Sequence, residues 1–162
     1  MDGNSEVEFT LGLLGMKAQD FEWVSASLPE EQLRSLLTSL PSVLNELAGD
    51  CLLKAMYGWG SNLHIDLCYV PMRVGTKWVD RFIKESLEQR IVVPANSDLY
   101  FEFPDERLEI LFCHEGDIHV CGPDEELRGR LFNSDCFRGL SFTSRRKKAQ
   151  QNTPADAAEP RG

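Results

Sequence analysis

Motifs for common cofactor chemistry are missing from this chain of 162 residues. It has no G-x-x-x-x-G-K-[ST], G-x-G-x-x-G or G-x-S-x-G, which argues against a phosphate-cradling loop, a dinucleotide fold and a serine-nucleophile elbow. It also has no C-x-x-C pair and no H-E-x-x-H, so the strong zinc patterns are unmet. No apolar run approaches the roughly 20 residues that cross a bilayer. The first basic residue is Lys17, so the positive start of a secretory signal is not expected either. The five cysteines, at 51, 68, 113, 121 and 136, are odd in number and sit mostly in apolar runs. Reduced thiols in a cytoplasmic protein are therefore predicted, with Cys51 behaving as a small hydrophobe on a helix stripe.

Basic charge is scarce outside the C-terminal end. Residues 143–162 carry five basic and two acidic side chains, and setting aside their net +3 takes the rest of the chain from −9 overall to −12. A field of that sign repels nucleic-acid phosphates and anionic lipid, so no DNA and no membrane partner is expected. The last twenty residues have almost no apolar bulk to offset their ordering entropy and are predicted to be a disordered basic and polar tail, Arg145-Arg146-Lys147-Lys148 included. Residues 1–142 then form one domain, since a chain of this length supports a single continuous core.

The pattern within that domain predicts an α+β fold. Val7, Phe9, Leu11 and Leu13 alternate with polar residues or glycine as in a half-buried N-terminal strand. Phe21 and Trp23 fit either a second strand or a short helix. Ser27 and Glu30 match a capping box with Pro29 in the first turn, and Leu33, Leu36, Leu37 and Leu40 follow at helical spacing. Pro41 is expected to end that helix and open another carrying Leu44, Leu47, Ala48, Cys51, Leu52 and Ala55, so that helices cover about 28–57. Leu63, Ile65, Leu67 and Tyr69 then alternate, predicting a strand over 63–70. Thr76 is placed to cap an amphipathic helix over 76–90 whose apolar face holds Trp78, Val79, Phe82, Ile83 and Leu87. Three strands over 98–121 make an antiparallel meander, and Pro123 with Asp124, Glu125 and Glu126 opens a short helix carrying Leu127 and Leu131. The N-terminal strand, the 63–70 strand and the 98–121 meander would form one antiparallel sheet packed against two to four helices.

Ligand-type side chains crowd in one place, the stretch LEILFCHEGDIHVC from Leu108 to Cys121. A two-residue Gly116-Asp117 turn would set His114 opposite His119, with Cys121 two positions along the same face, and these three are the candidate ligands for a divalent transition metal. A Glu115-Gly116 turn would pair His119 with Phe112 instead and separate the histidines. Elsewhere His64, Asp66 and Cys68 share one side of the expected 63–70 strand. They contain the ingredients of a cysteine nucleophile, but alternate Cα atoms nearly 7 Å apart on one strand cannot form a relay among themselves. No catalytic residue is therefore assigned.

The leading functional expectation is a non-enzymatic module that binds a basic protein, of the inhibitor or immunity-type neutraliser kind. It would use Glu102, Glu109, Glu115 and Asp117 on an acidic sheet face and Trp59 as an aromatic anchor, with Trp59 alternatively folded back over a helix end. No cofactor is expected in that case. The second expectation is a small metal-binding protein or metal-dependent enzyme centred on His114 and His119.

Overall fold

The computed structural model describes residues 21–146. Within them one seven-stranded sheet packs against three α-helices, the predicted α+β class. In chain order the elements are β1 (Phe21–Ser25), α1 (Glu30–Ala48), β2 (Leu52–Tyr57), β3 (Met72–Gly75), α2 (Val79–Glu88), β4 (Leu99–Glu102), β5 (Glu109–Phe112), β6 (Ile118–Cys121), α3 (Glu125–Phe132) and β7 (Phe142–Arg146). The sheet order is β3-β2-β4-β5-β6-β1-β7, and every neighbouring pair is antiparallel.

The predicted meander is present as β4, β5 and β6. Leu99, Phe101, Ile110, Phe112, Ile118 and Val120 point from these strands into the core, where they meet Leu33, Leu37, Leu40 and Leu44 of α1 and Val79 and Ile83 of α2. The predicted 76–90 helix is also present, entered through a 3-10 turn at Thr76–Trp78. Thr76 does not cap it. Its hydroxyl donates to Gly49 O at 2.7 Å and accepts from Cys51 N at 3.3 Å, tying the end of α1 to the start of α2. In α3 the Asp124 side chain accepts from Leu127 N at 2.9 Å, and Leu127 and Leu131 are buried as expected.

Several expectations are corrected. Pro41 lies inside one continuous helix and breaks nothing. An interior proline costs about 3 kcal/mol. Burying each large aliphatic side chain contributes about 1.5–3 kcal/mol, and α1 buries Leu33, Leu36, Leu37, Leu40, Val43 and Leu44, so packing outweighs the break. The capping box does not form: Pro29 is the N-cap residue, no side chain caps there, and the Ser27 hydroxyl donates to Glu115 O at 3.3 Å. The helix ends at Ala48, because Gly49 adopts φ 64° and donates to Asn45 O. Leu52–Tyr57 is therefore strand, not helix, with Leu53, Ala55 and Tyr57 inward. Ala55 suits both periods, but only the strand period also buries Leu53 and Tyr57, and it leaves Leu52 exposed.

The 63–70 strand is absent. Both edges of β2, the strand that leads into this segment, are already taken, by β3 and β4. It forms a loop with one 3-10 turn at Ile65–Leu67, in which Leu63 packs against the core while Ile65, Leu67, Tyr69 and Val70 face outward. Phe21 and Trp23 are in a strand, resolving the ambiguity there. Residues 143–146 extend the folded region past the expected boundary at 142, pairing with β1 along its whole length. The strand expected over 6–14 and the tail from 147 onward lie outside the described residues.

Candidate functional site

Neither expected hairpin turn forms. β5 and β6 pair Glu109 with Cys121, Ile110 with Val120, Leu111 with His119 and Phe112 with Ile118. Cys113 N then donates to Asp117 O at 2.9 Å, and Gly116 N donates to Cys113 O at 3.0 Å. The connection is a three-residue loop, His114-Glu115-Gly116, closed by Gly116 at φ 89°, the left-handed conformation such loops require of their last residue. This register puts Ile110, Phe112, Ile118 and Val120 on the helix side of the sheet and leaves Glu109, Leu111, His119 and Cys121 on the opposite, outer face. His114 leaves the ladder altogether.

The histidines are thus separated, and each meets a carboxylate from another strand or loop, Asp98 for His114 and Glu22 for His119. His114 Nδ1 lies 2.8 Å from Asp98 Oδ1, which also accepts from the His114 backbone N at 2.7 Å. His119 is held at both ring nitrogens, Nδ1 at 3.1 Å from Glu22 Oε2 and Nε2 at 3.0 Å from Asp117 Oδ1. Arg145 Nε donates to the other Glu22 oxygen at 2.8 Å. Glu22 can reach His119 because β1 lies beside β6, with Val24 paired to His119 and Glu22 to Cys121.

Cys113 stands between the two histidines. Its Sγ is 3.8 Å from His114 Nδ1. Asp98, Cys113 and His114 form one set of potential metal-ligand atoms, and Cys113, Asp117 and His119 form another, each with all its atoms within 4.8 Å of one another. Cys121, expected among the ligands, belongs to neither set. It sits one rung further along the outer face, its Sγ donating to Glu109 Oε1 at 3.8 Å. Sequence reasoning missed Cys113, Asp98 and Glu22, whose roles depend on the three-residue loop and on strand neighbours remote in sequence.

The electrostatics favour proton or cation retention at this cluster. Burial, reinforced by the charges of Asp98 and Asp117 and opposed by a backbone bond from Glu115, pushes the Cys113 thiol up to about 12. Burial first, and Asp98 next, also hold the Tyr100 phenol above its ordinary value. Glu22 is the opposite case. Burial raises its carboxyl, but the bonds and charges of Arg145 and His119 together bring it below 4.5. A thiol so firmly protonated is a poor nucleophile at neutral pH. Moreover, His114 turns the same nitrogen to Cys113 and Asp98, so no nucleophile–base–orienter relay is formed there.

The other candidates resolve simply. His64, Asp66 and Cys68 sit on and beside the 3-10 turn, where the His64 ring accepts from Asp66 N at 3.3 Å and the Cys68 thiol lies 4.0 Å from the His64 carbonyl. They are a local turn motif. The sheet-face acids are largely engaged within the protein: Lys54 Nζ is 2.9 Å from Glu102 Oε1, Glu109 meets Cys121, and Asp117 meets His119. Glu115 is exposed on the hairpin loop. Trp59 covers no helix end. It is 64% exposed and leans on the hairpin, its ring centroid 6.1 Å from that of His114. A groove of about 420 Å³ between α1 and α2 has an apolar floor of Ile83 and Leu87 under charged side chains and lacks a convergent polar set.

Beside the hairpin loop, at the same end of the sheet, residues 58–71 form the least covered apolar segment described. Ile65, Leu67, Tyr69 and Val70 are exposed to 79, 54, 52 and 44% respectively. The base of this loop is firmly held. Gly58 N donates to Asp98 O, Asp98 N to Trp59 O, Ser97 Oγ to Gly60 O and Tyr69 N to Tyr57 O, at 2.6–3.0 Å. A Cβ on Gly60 would fall 2.0 Å from Asn96 O. Tyr69 adopts φ 63° and packs against Tyr100 with centroids 6.4 Å apart. Comparison with family models, curated proteins and solved structures finds no match for this chain.

Proposed function

We propose that this protein is a non-enzymatic binding module whose partner is another protein, engaged through the loop at 58–71. The observation that carries this is the exposure of Trp59, Ile65, Leu67, Tyr69 and Val70 on one loop whose base is fixed to the sheet. Scattered single exposed hydrophobes are ordinary, whereas a contiguous exposed patch marks an interaction site. Tryptophan and tyrosine are also the side chains most often found to dominate binding energy. A loop with a pinned base loses less conformational freedom on binding, so more of its contact energy appears as affinity.

The partner's expected character follows from charge. Exposed Asp66 lies between Ile65 and Leu67, Glu115 is exposed on the hairpin loop whose His114 meets Trp59, and the chain carries −9 overall, which favours a partner surface with an apolar centre and a basic rim. In this form the proposal moves the contact away from Glu102, Glu109 and Asp117, whose charges are engaged within the sheet, and keeps Trp59 and Glu115. An inhibitor or neutraliser of a basic protein would fit such a surface.

Site-specific photo-crosslinking in the native host tests it. A photoreactive side chain replacing Ile65 should give one dominant protein adduct, and the same group replacing exposed Gln89 at the end of α2 should not. The adduct should fade when Trp59→Ser is added and as salt rises. Identical products from both positions, or no adduct from the loop, would overturn the proposal.

A further inference from the structure

We propose that Cys113 Sγ, Asp117 Oδ1 and His119 Nε2 form a three-ligand site for a divalent transition metal of zinc's class, with Glu22 as the carboxylate that orients the histidine. These are one thiol, one carboxylate and one imidazole, with ligand atoms all within 4.8 Å of one another. Metal bonds of about 2.0–2.3 Å to sulfur, nitrogen and oxygen accommodate such a spacing around one tetrahedral ion. The mixed donor set selects against magnesium and calcium, which take oxygen ligands.

What raises this set above a chance cluster is the shell behind it. A metal-bound histidine almost always donates its other N–H to a carboxylate or carbonyl, which fixes the ring and its tautomer. His119 already has that arrangement: Nδ1 lies 3.1 Å from Glu22 Oε2, and Arg145 anchors the other Glu22 oxygen at 2.8 Å. Nε2 is thereby aimed at Asp117, 3.0 Å away, on the side where Cys113 faces Asp117 across the hairpin. Asp98, Cys113 and His114 have no comparable support. There His114 turns Nδ1 to Asp98 and Cys113, and its other nitrogen has no carboxylate holding it among the described contacts.

Charge and protons balance. The thiolate and the Asp117 carboxylate neutralise a dication, while Glu22 and Arg145 offset each other. The ion takes the place of the thiol proton on Sγ, which goes to buffer. A fourth coordination position remains for water.

Cobalt titration of the purified full chain, carrying no histidine tag, is the test. Absorbance should saturate at one equivalent with a thiolate-to-cobalt charge-transfer band, and zinc should displace it. Cys113→Ser should abolish the band, and Glu22→Gln should weaken binding by about 10–100-fold, the usual cost of losing such an orienting group. His114→Ala and Cys121→Ser should leave band and affinity unchanged. Circular dichroism of each metal-free variant establishes that it folds. Wild-type calorimetry in buffers of different ionisation enthalpy is independent of any variant, and thiolate ligation requires at least one proton released per ion. The proposal is overturned by no band in cobalt excess, by zinc binding without proton release, or by a band that survives Cys113→Ser. Loss of binding in His114→Ala with retention in His119→Ala would also overturn it, because the metal would then belong to the Asp98 set.

Discussion

The outer face of the sheet and the loop at 58–71 lie side by side and treat their side chains in opposite ways. On the sheet, polar groups close on one another: one row, read through the strand pairings, runs Arg73, Lys54, Glu102, Glu109, Cys121, Glu22, Arg145 across all seven strands. Opposite charges meet within it, Lys54 on Glu102 and Arg145 on Glu22. On the loop, apolar groups are left open. The acids of the outer sheet face are thus engaged largely within the molecule, whereas the loop offers mainly apolar side chains. Net charge describes how such a chain approaches a partner, and local exposure describes what it touches.

That contrast predicts a gradient of mutational effects. The largest loss of stability is expected for Asp98→Ala, which strips the partner from both the backbone and ring N–H groups of His114 at a buried position. Urea unfolding should show a cost of about 3 kcal/mol. Gly60→Ala comes next, at about 2 kcal/mol, since its φ of 75° disfavours any side chain and the new Cβ would collide with Asn96 O. Hydrogen exchange should show that this damage falls on the loop base, with the amides of β5 and β6 still protected.

The third test is pH. Glu22 titrates below 4.5 in the folded protein, so its stabilising contribution is complete above the unfolded-state value and disappears as pH falls through the lower folded one. Unfolding free energy should therefore decline below about pH 4.5, and less steeply in Glu22→Gln. An unchanged slope would show that the Arg145–Glu22–His119 chain contributes little. The smallest effect is expected for Ile65→Ser. At 79% exposure it should change stability by less than about 0.5 kcal/mol, yet crosslinking or affinity measurements should show binding weakened at least about tenfold, the scale of a truncated interface anchor. A stability loss rivalling that of Asp98→Ala would mean the loop is structural and would erase the distinction.

The fold was legible where local pattern and tertiary demand agree. Ile110, Phe112, Ile118 and Val120 alternate as a sheet requires, and Val79 and Ile83 recur as a packed helix requires. It was illegible where the pattern is sound but the neighbourhood decides. The alternation at 63–70 is regular, yet β2 has no free edge to offer it. Pro41 is a strong stop signal, yet the leucines on both sides of it bury onto one core. At the site, three-residue hairpin loops ending in a left-handed glycine are common enough that Gly116 offered a signal. Choosing that loop over a two-residue turn moves His119 to the outer face. Glu22 was beyond local inference, since it lies 97 residues from His119 and meets it only because β1 is inserted between β6 and β7.

That insertion also orients the molecule for anything attached to it. Phe21 pairs with Arg146, so the first and last described residues leave the sheet as neighbours. The strands that end at Tyr57 and Phe112 carry the 58–71 loop and the hairpin loop at the opposite end of the strands, the end at which Ser25 pairs with Phe142. A tether, label or fused domain joined at either end of 21–146 therefore departs from the end of the strands away from Trp59 and Ile65.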